Sequence, residues 1–433
     1  MKTFILAGGK GTRLGHITKS IPKPMVKFIG KPILEYQINY LRRNNFTDIN
    51  ILLSYKGDVI SNYFGDGSKW GVNINYYNDD FPLGTAGALK NIENFIDEDF
   101  LLLYGDTIMD INIDYMLEFH KKNKGLATLF VHPNDHPYDS DLCSIDKKNK
   151  ILNFFSKPHS TKKNYKNLVN AAFYIMSPEI FKYIDKGINC DFGKDIFPKL
   201  TSLKLDVFAY NSPEYIKDVG TPERLKSVEK DYCSGKINLL NKKNKQSAIF
   251  LDRDGVINYD DQIVDSPSKF KFYIGVKEAI KKINKSNYLA IIATNQPMIA
   301  KGFATFDQLD EVHNFMETEL GKKGAFIDRI YFCPHHPEKG FPGEIKTLKK
   351  KCNCRKPNTG MIDNAVDELN IDIKSSFFIG DRTVDIKAGN DAGLITILLK
   401  QGFSGKDNKY KISSDYVFDN LNQAVDFILE KEN

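Results

Sequence analysis

The sequence predicts an α/β protein with two doubly wound domains, and three observations support this expectation. Short apolar runs alternate with amphipathic stretches through both halves of the chain. A glycine-rich segment follows the first apolar run, and a pair of aspartates follows another such run just past the middle. The length of 433 residues is sufficient for two or three domains of ordinary size.

The first half contains apolar, β-rich runs separated by polar turns, the pattern of a largely parallel sheet with connecting helices. Its first predicted helix begins at Pro32 and places Ile33, Leu34, Ile38 and Leu41 on one face. The predicted strands are Thr3–Leu6, Ile49–Ser54, Asn73–Tyr77, Phe100–Tyr104, Ala127–Val131 and Ala171–Met176, and the predicted helices are Pro32–Asn44, Ala86–Asn94, Ile113–Lys122 and Pro222–Ser234.

The composition changes after the last of these helices. Residues 235–246 (GKINLLNKKNKQ) are rich in lysine and asparagine and predict a linker between domains at 1–234 and 247–433. A second alternating pattern follows. Its predicted strands are Ala248–Leu251, Leu289–Thr294, Arg329–Phe332, Phe377–Gly380 and Ile395–Leu398, and its predicted helices are Val276–Lys285, Asp307–Leu320, Met361–Leu369 and Asp385–Ala392.

Composition favours a cytoplasmic protein that acts on small molecules. The formal charge of +6 is modest and the lysines are scattered, so nucleic acid is not an expected partner. No apolar run approaches the ~20 residues of a membrane span, and the β-like segment Met1–Leu6 is not typical of a signal peptide. Three of the six cysteines cluster with histidines, which indicates a metal site rather than disulfides. The sequence does not predict an oligomeric state.

The first motif is the glycine-rich segment at residues 6–14 (LAGGKGTRL). Glycines allow successive N–H groups to face phosphate oxygens, and Arg13 adds a bidentate donor. The segment matches neither the P-loop nor the G-x-G-x-x-G pattern, and by itself it could equally be a tight strand–helix turn. Four further motifs follow it in the chain: Pro22-Lys23-Pro24, Pro82 to Gly87, Gly105-Asp106, and Lys217 to Pro222.

These five motifs resemble those of the sugar-phosphate nucleotidyltransferases, in the order that this Rossmann-like family shows. The resemblance covers about residues 1–234 and implies Mg²⁺ at Asp106 and Asp218. It also implies that Lys157 and Asn170 bind the sugar phosphate, although Ser156 stands where the family often has an acidic residue before the lysine. Nucleotide contacts are implied for Leu6, Gly8, Gly9, Gly11, Thr12, Arg13, Lys23, Gly84 and Asp106, with Arg13 and Lys23 also catalytic.

The second half opens with Asp252 and Asp254 after an apolar strand. Residues i and i+2 of an extended segment point the same way, so both carboxylates can face one pocket as nucleophile and acid/base. An N-capping pair in a strand–helix loop is the alternative interpretation. Three further elements follow in order: Thr294-Asn295, Lys356, and Gly380-Asp381 with Asp385 four residues later.

These elements resemble the four motifs of the haloacid dehalogenase (HAD) phosphatases. The resemblance implies that Asp252 is the nucleophile and Asp254 the general acid/base. It implies that Asp381 binds Mg²⁺ with Asp252 and with Asp254, the latter through its main-chain carbonyl. The expected substrate-binding residues are Thr294, Asn295, Arg355 and Lys356.

A cysteine and histidine cluster lies between the second and third of these elements. One residue separates Cys333 from His335 and Cys352 from Cys354, with 16 residues between the two pairs. Three thiolates and one imidazole make a closed tetrahedral set, which predicts a structural Zn²⁺. His336 competes with His335 for the fourth position, and the matching spacing favours His335.

The zinc loop resembles that of two HAD phosphatase groups, the heptose 1,7-bisphosphate 7-phosphatases and the histidinol-phosphate phosphatases. The first half, with residues 11–14 and 21–25, resembles the D-glycero-α-D-manno-heptose 1-phosphate guanylyltransferases and their mannose-1-phosphate relatives. A heptose bisphosphatase would release the 1-phosphate that such a guanylyltransferase consumes. The resemblance therefore implies a bifunctional enzyme that removes the 7-phosphate of D-glycero-α-D-manno-heptose 1,7-bisphosphate. It would then transfer GMP from GTP to give GDP-heptose, a precursor of surface polysaccharide, and pyrophosphate.

Two alternatives remain open. One is a different nucleotide-sugar pyrophosphorylase, for mannose 1-phosphate or another sugar, joined to a histidinol-phosphate-type or other small-molecule phosphatase. The other is a non-catalytic sensor of sugar nucleotides. The sensor is disfavoured because the expected carboxylates are all present: Asp106, Asp218, Asp252, Asp254 and Asp381.

Overall fold

The computed structural model describes residues 1–78 and 83–432, without the side chains of His16 and Glu432. Pro82, which opens the second glycine motif, lies outside the described residues. The chain divides into two compact units. The first comprises Met1–His132, Tyr138–His159 and Leu168–Asn241, and the second comprises Pro133–Pro137, Ser160–Asn167 and Lys242–Asn433.

Strands and helices alternate in the first unit, as the hydrophobic pattern predicts. Its strands are β1 (Thr3–Leu6), β2 (Lys27–Phe28), β3 (Lys31–Pro32), β4 (Asp48–Leu53), β5 (Asn73–Asn78), β6 (Phe100–Tyr104), β7 (Thr107–Asp110), β8 (Ala127–His132), β9 (Leu142–Ile145), β10 (Ile151–Phe155), β11 (Val169–Met176), β12 (Val207–Asn211) and β13 (Tyr215–Asp218). Its α-helices are α1 (Ile33–Arg43), α2 (Gly57–Phe64), α3 (Gly84–Lys90), α4 (Ile113–Asn123), α5 (Phe197–Ser202), α6 (Pro222–Cys233) and α7 (Lys236–Leu239).

The main sheet of the first unit has the strand order β10-β9-β11-β6-β1-β4-β5, with β8 beside β11 and β12 beside β8. The central strands β6, β1, β4 and β5 are parallel, while β11 runs antiparallel to β6 and β8. The carboxyl ends of the parallel strands meet at one edge of the sheet. The loops that follow β1 and β6 therefore lie side by side.

Both faces of this sheet are covered, which explains why a central strand such as β6 (FLLLY) is apolar along nearly its whole length. Phe4 and Leu52 face one core, which also contains residues of α3 and α5. Ile5 and Ile51 face the other, with residues of α1, α2 and α4. The first unit is thus doubly wound, as the sequence predicts.

The second unit is built on a parallel sheet with the order β16-β15-β14-β17-β18-β19. Ile249 and Leu251 of its central strand pack in a core with residues of three helices, α8, α9 and α12. Its strands are β14 (Ser247–Leu251), β15 (Tyr288–Asn295), β16 (Arg329–Cys333), β17 (Phe377–Gly380), β18 (Ile395–Leu399) and β19 (Tyr416–Phe418), and its helices are α8 (Val276–Lys285), α9 (Phe306–Gly321), α10 (Gly360–Leu369), α11 (Thr383–Ala392) and α12 (Leu421–Glu432).

Two differences from the predicted elements affect the sites. Helix α3 begins at Gly84 and ends at Lys90, because a separate 3-10 turn at Glu93–Phe95 replaces the expected last turn. Strands β7 and β13 are not predicted, since their pairing of Thr107 with Asp218 joins residues far apart in the chain. Among the described helices, none is both long and apolar enough to cross a lipid bilayer.

The segment predicted as a linker contains the short helix α7. Ile237 and Leu240 in it are buried, and the Asn241 side chain donates a hydrogen bond of 2.9 Å to Asp110 of the first unit. Gln246 belongs to the second unit, where its N–H donates to the Asn370 carbonyl at 2.9 Å. The last change from the first unit to the second falls between residues 241 and 242, and Pro133–Pro137 and Ser160–Asn167 also belong to the second unit.

We expect fragments 1–241 and 242–433 to fold separately, because each contains every strand of one main sheet and the core residues that pack on that sheet. Circular dichroism and thermal unfolding should show one cooperative transition for each. A first fragment shortened to residue 234 should be less stable, since Ile237 and Leu240 each contribute roughly 1.5–3 kcal/mol when buried. Two fragments without cooperative unfolding would show that the halves depend on each other.

Candidate active sites

The glycine-rich loop of the first unit is closed by Lys23. The Lys23 N–H donates to the Gly9 carbonyl at 3.3 Å, and the Thr18 hydroxyl donates to the Gly11 carbonyl at 2.9 Å. Gly11 has φ +65°, and a Cβ there would lie 2.9 and 3.0 Å from the side chains of Thr18 and Lys23. Space is equally tight at Gly8 but open at Gly9. The loop therefore needs glycine at positions 8 and 11, and its backbone is accessible at Gly9, before a 3-10 helix that begins at Thr12.

Lys23 and Asp106 form an ion pair at the carboxyl edge of the sheet. Lys23 is buried, and Asp106 follows β6 through Gly105, whose N–H donates to the Leu6 carbonyl at 2.9 Å. The Asp106 carbonyl accepts a hydrogen bond of 2.8 Å from Val219, one residue after Asp218. The structure thus brings the loop, Lys23 and the two expected metal ligands of this unit together.

Arg224 and Asp139, which the sequence analysis missed, extend this site. Arg224 Nη1 donates to both oxygens of Asp218 at 2.8 and 3.0 Å, and its Nη2 donates to Asp139 at 2.7 Å. Arg13 Nη1 donates to the same Asp139 oxygen at 2.8 Å. Burial opposes a charge on Asp139, but Lys157, Arg224 and Arg13 together hold the pKa of Asp139 below its ordinary value.

The two expected sugar-phosphate ligands are joined through Asp141. The Lys157 N–H donates to the Asp141 carboxylate at 3.1 Å, and the Asn170 N–H donates to the Asp141 carbonyl at 2.9 Å. The Lys157 ammonium donates to the carbonyl of Asp139 at 2.8 Å. Burial raises the pKa of Asp141. A half-buried carboxylate therefore stands beside Lys157, although the preceding residue is Ser156.

Gly84 is the first residue of α3. Its φ is +71°, and a Cβ there would lie 2.3 Å from the Cys190 carbonyl oxygen. The neighbouring Thr85 hydroxyl donates to the Asp191 carboxylate at 2.8 Å. This turn is therefore closed by residues 190–191 and not by the first glycine loop.

In the second unit, Asp252 follows β14 and meets a buried lysine. The Asp252 N–H donates to the Ile379 carbonyl at 3.1 Å, which fixes it at the end of the sheet. Lys356 Nζ lies 3.0 Å from Asp252 and 2.7 Å from Asp385. Burial lowers the pKa of Lys356, but these two carboxylates outweigh burial and raise it. The lysine is therefore charged and shared between them.

Three carboxylates of the second unit form a set that fits a divalent cation. Asp252, Asp381 and Asp385 offer oxygens within 4.8 Å of one another. The Oδ1 atom of Asp381 is buried and has no hydrogen-bond partner among the described residues, while its Oδ2 accepts from the Phe403 N–H at 2.7 Å. Oxygen ligands of this kind suit Mg²⁺ or Ca²⁺. The carboxylate of Asp385 belongs to this set, although the sequence motifs did not assign it as a metal ligand.

The pKa values of this set reflect its excess negative charge. Burial, followed by Asp385 and Asp252, raises the pKa of Asp381 to about 8. Burial also raises the pKa of Asp252, against the lowering effect of Lys356. A bound cation would reverse both effects, because it favours the charged carboxylates.

Asp254 lies in a separate hydrogen-bonded clamp. Arg253, which is 1% exposed, donates from Nη2 to both Asp254 oxygens at 2.8 and 3.0 Å. Gln296 and Asn258 donate to the same carboxylate at 2.7 and 2.9 Å. Burial would raise the pKa of Asp254, but Arg253 and these amides lower it below the ordinary value. The clamp therefore holds Asp254 ionised.

Asp252 and Asp254 line one cavity of about 630 Å³. Lys301, Arg355 and Lys409 line the same cavity, so its wall carries several positive charges. A cavity of this size matches a small phosphorylated molecule.

The remaining expected substrate ligands support Lys356 and the cavity wall. Asn295 exchanges two hydrogen bonds with the Lys356 backbone, at 3.0 and 3.2 Å, and so orients the lysine. The Thr294 hydroxyl is buried and accepts from Gln296 at 3.0 Å. Arg355 donates to the His335 carbonyl at 3.3 Å, which links the cavity to the cysteine cluster.

The structure brings Cys333, His335, Cys352 and Cys354 together. The Cys352 sulfur lies 3.5 Å from that of Cys333 and 3.4 Å from that of Cys354, too far for a disulfide of ~2.05 Å. His335 Nδ1 lies 3.3 Å from the Cys354 sulfur and 3.7 Å from that of Cys333. Such spacings fit a tetrahedral metal with bonds of about 2.0–2.3 Å. His336 lies outside this set.

Comparison with known proteins assigns a family to each half. Residues 2–235 match the family described as Nucleotidyl transferase, and residues 353–424 match the HAD-hydrolase-like family. The first half is 34% identical to a UTP–glucose-1-phosphate uridylyltransferase of Synechocystis sp., over 51% of this chain and 60% of that relative. The chain therefore spans less than two thirds of that relative's length.

The second half is 38% identical to the D-glycero-beta-D-manno-heptose-1,7-bisphosphate 7-phosphatase of Haemophilus influenzae, over 40% of this chain and 92% of that relative. Among solved structures, HddC from Yersinia pseudotuberculosis complexed with GMP-PN is 27% identical, covers 53% of this chain and 99% of its own, and has a TM-score of 0.46.

The pKa of Asp381 makes the metal-free stability of the second unit depend on pH. Between the unfolded pKa of about 3.9 and the folded pKa of about 8, the folded protein keeps a proton that the unfolded chain has lost. This stabilisation is complete at pH below the unfolded pKa, and it is lost as pH rises through the folded pKa. Mg²⁺ replaces the proton, so it should raise the melting temperature more at pH 8 than at pH 5.

Thermal unfolding in EDTA and in Mg²⁺, at pH 5 and at pH 8, measures the effect of Mg²⁺ on the melting temperature at each pH. Asp381→Asn should remove most of the pH dependence of the Mg²⁺ effect, whereas the exposed Asp391→Asn should not. Equal Mg²⁺ effects at both pH values in the unmodified protein would contradict the expectation.

Both families predicted from the motifs are confirmed, and both consist of enzymes. The α/β architecture of each unit agrees with them, and the cysteine cluster lies in the second unit, as predicted. The chain belongs to the nucleotidyl transferase family through its first half, which is joined to a HAD-like hydrolase domain.

Proposed function

We propose that the chain catalyses two consecutive steps, hydrolysis of the 7-phosphate of a D-glycero-D-manno-heptose 1,7-bisphosphate and transfer of GMP from GTP to the resulting 1-phosphate. One observation carries this proposal. The unit that contains Asp252 and Lys356 is similar, over nearly the whole length of the relatives, to heptose-bisphosphate 7-phosphatases. Such a phosphatase leaves a sugar 1-phosphate, the class of substrate that nucleotidyltransferases of this kind consume.

In the phosphatase step, the Asp252 carboxylate attacks the phosphorus of the 7-phosphate and the bond to the sugar oxygen breaks. Asp254 in its protonated form gives that proton to the sugar oxygen, and the ionised Asp254 then takes a proton from the water that releases phosphate from the aspartyl intermediate. The clamp around Asp254 favours its ionised form, which is the form that accepts a proton from water when the aspartyl intermediate is hydrolysed. Lys356, oriented by Asn295, and Thr294 hold the phosphoryl oxygens.

The three-carboxylate set would hold Mg²⁺ through Asp252, Asp381 and Asp385, with the Asp254 carbonyl as a further ligand. The metal would supply positive charge against the phosphoryl oxygens. Its fit rests on the buried, unpartnered Asp381 oxygen and on the raised pKa values of the set.

In the transfer step, an oxygen of the sugar 1-phosphate attacks the α-phosphorus of GTP in line, and pyrophosphate leaves. The open face of the glycine loop suits the triphosphate, with Leu6, Gly84 and neighbours near the nucleoside. Arg13 and Lys23 reduce the repulsion between the two anions. Asp106 and Asp218 would hold Mg²⁺, which adds charge against the phosphates.

The ion pairs of Asp106 and Asp218 support these roles. Asp106 is paired with Lys23, and Asp218 with Arg224, so each expected metal ligand already has a cation. Binding of a metal and a triphosphate would exchange these partners, with Lys23 moving from carboxylate to phosphate. Lys157 and Asn170 would then bind the sugar phosphate next to Asp141.

Two details of the proposed substrates, the base and the anomer, come from the motif resemblance. Guanine rests on the motif resemblance of residues 11–14 and 21–25, while the Synechocystis relative is named for UTP and glucose 1-phosphate. The motif resemblance favours the α anomer, while the phosphatase relatives are named for the β anomer. The experiment must therefore vary both base and sugar.

Substitution of the nucleophile should separate the two activities. Asp252→Asn keeps the shape of the side chain but cannot form the aspartyl intermediate, so phosphate release should fall by at least about a thousandfold. Nucleotidyl transfer should be unchanged. The exposed Asp419→Asn is the control and should retain both activities. Near-normal phosphate release by Asp252→Asn would exclude this mechanism.

The cysteine cluster is proposed to hold a structural Zn²⁺, because its four ligands leave no open position. Metal analysis should find about one zinc per chain. Cys352→Ser should lose the metal and lower the melting temperature of the second unit, because metal binding contributes to folding. Cys233→Ser, at an exposed cysteine outside the cluster, should change neither. A zinc-free protein of full stability and activity would refute the proposal.

An activity assay of the full-length enzyme tests the proposed substrates. With heptose 1,7-bisphosphate, GTP and Mg²⁺ it should give GDP-heptose, phosphate and pyrophosphate in one vessel, and the 1-phosphate should be spared. Both anomers should be compared, and GTP, ATP, UTP and dTTP should be tested with heptose, mannose and glucose 1-phosphates. Faster hydrolysis of histidinol phosphate, or no use of GTP with any heptose 1-phosphate, would exclude the proposed pathway.

A further inference from the structure

Three cations from distant segments of the first unit converge on Asp139. Arg13 comes from the glycine loop, Lys157 follows β10, and Arg224 lies in α6. Arg13 and Arg224 donate to the same Asp139 oxygen at 2.8 and 2.7 Å. The Lys157 ammonium donates to the Asp139 carbonyl at 2.8 Å and lies 3.8 Å from its other carboxylate oxygen. Of the three cations, only Arg224 has no role in the proposed reaction.

The position of the Asp139 carboxylate shows which kind of ligand these three cations can bind. A carboxylate oxygen fits between two guanidinium groups here, so a phosphate oxygen can fit there as well. Asp139 is 45% exposed in its side chain, and ion pairs at such exposure are weak in water. A phosphate with two charges can therefore displace it.

Arg224 is the best fixed of the three cations. Its side chain is 14% exposed, and Nη1 is held by both oxygens of Asp218. Gly220 leaves room for this arrangement, because a Cβ there would lie 2.5 Å from Asp218 Oδ2, 3.1 Å from Arg13 Nη2 and 3.3 Å from Arg224 Nη1. The two arginines therefore border one small volume beside Asp218. Like charges held so close create a site for an anion.

We propose that Arg224 binds the phosphate group of the sugar 1-phosphate, together with Lys157, after that phosphate displaces Asp139. This inference rests on the proposed function, in which Lys157 faces the sugar phosphate and Asp218 binds metal. Arg224 spans these two groups, so it can place the attacking phosphate next to the metal. Arg13 belongs to the glycine loop and serves the nucleotide.

The test measures steady-state transfer by the full-length enzyme with the sugar 1-phosphate and nucleoside triphosphate of highest turnover. Arg224→Gln should raise the KM for the sugar 1-phosphate about tenfold or more, with the KM for the triphosphate changed less than about twofold, because a charge-assisted hydrogen bond to the sugar phosphate is lost. The KM of Arg224→Lys for the sugar 1-phosphate should lie between those of the unmodified enzyme and Arg224→Gln, since lysine keeps the charge but lacks the planar guanidinium group. The exposed Arg43→Gln is the matched control.

A rise of both KM values together, or a loss of kcat alone, would overturn the proposal and make Arg224 a residue that acts only through Asp218. If Arg224→Gln strongly lowers the melting temperature, the KM values of Arg224→Lys are used instead. An unchanged KM of Arg224→Lys for the sugar 1-phosphate would then overturn the proposal. Asp218→Asn tests the proposed function separately. Normal nucleotidyl transfer by that variant would exclude Asp218 as a metal ligand, independently of the results for the Arg224 variants.

Discussion

Both sites depend on carboxylates held at the carboxyl ends of parallel strands beside cations that the fold supplies. In the second unit, Asp252 and Asp385 pair with one buried lysine, Lys356, and Asp381 lies beside these two carboxylates. A charge in a poorly hydrated site needs a partner, and one lysine does not balance three carboxylates. In the first unit, Asp106 meets Lys23 at the corresponding edge. The sheet topology thus decides where charge accumulates, and that accumulation attracts metal and phosphate.

The sequence predicted the parts of the sites that follow a strand directly. A glycine turn or an aspartate after an apolar run carries its own local signal, so the loop with Gly11, the Asp252 pair and Asp381 were all identified. The cysteine cluster could also be predicted from the sequence, because the two ligands of each pair are separated by only one residue. Asp385 could have been assigned with Asp381, since residues four apart near the start of a helix point to the same side.

The sequence could not show groups brought together only by tertiary structure. Asp139 lies 126 residues from Arg13 and 85 from Arg224, and no local pattern connects them. The pairing of β7 with β13, which sets Asp218 beside Asp106, has the same origin. The shorter α3 reflects competition between a helix and a 3-10 turn, where neighbouring asparagines weaken the helix.

The cysteine cluster also has a consequence for redox chemistry. The sulfur of Cys352 stands 3.5 Å or less from two other sulfurs, so after loss of a bound metal a modest movement would allow oxidation to a disulfide. Cys352 and the adjacent Arg355 both line the cavity that contains Asp252. An oxidised, metal-free loop would therefore change the wall of the phosphatase cavity while leaving its carboxylates intact. Inactivation by chelation in air would then be reversed only by a thiol reductant together with metal.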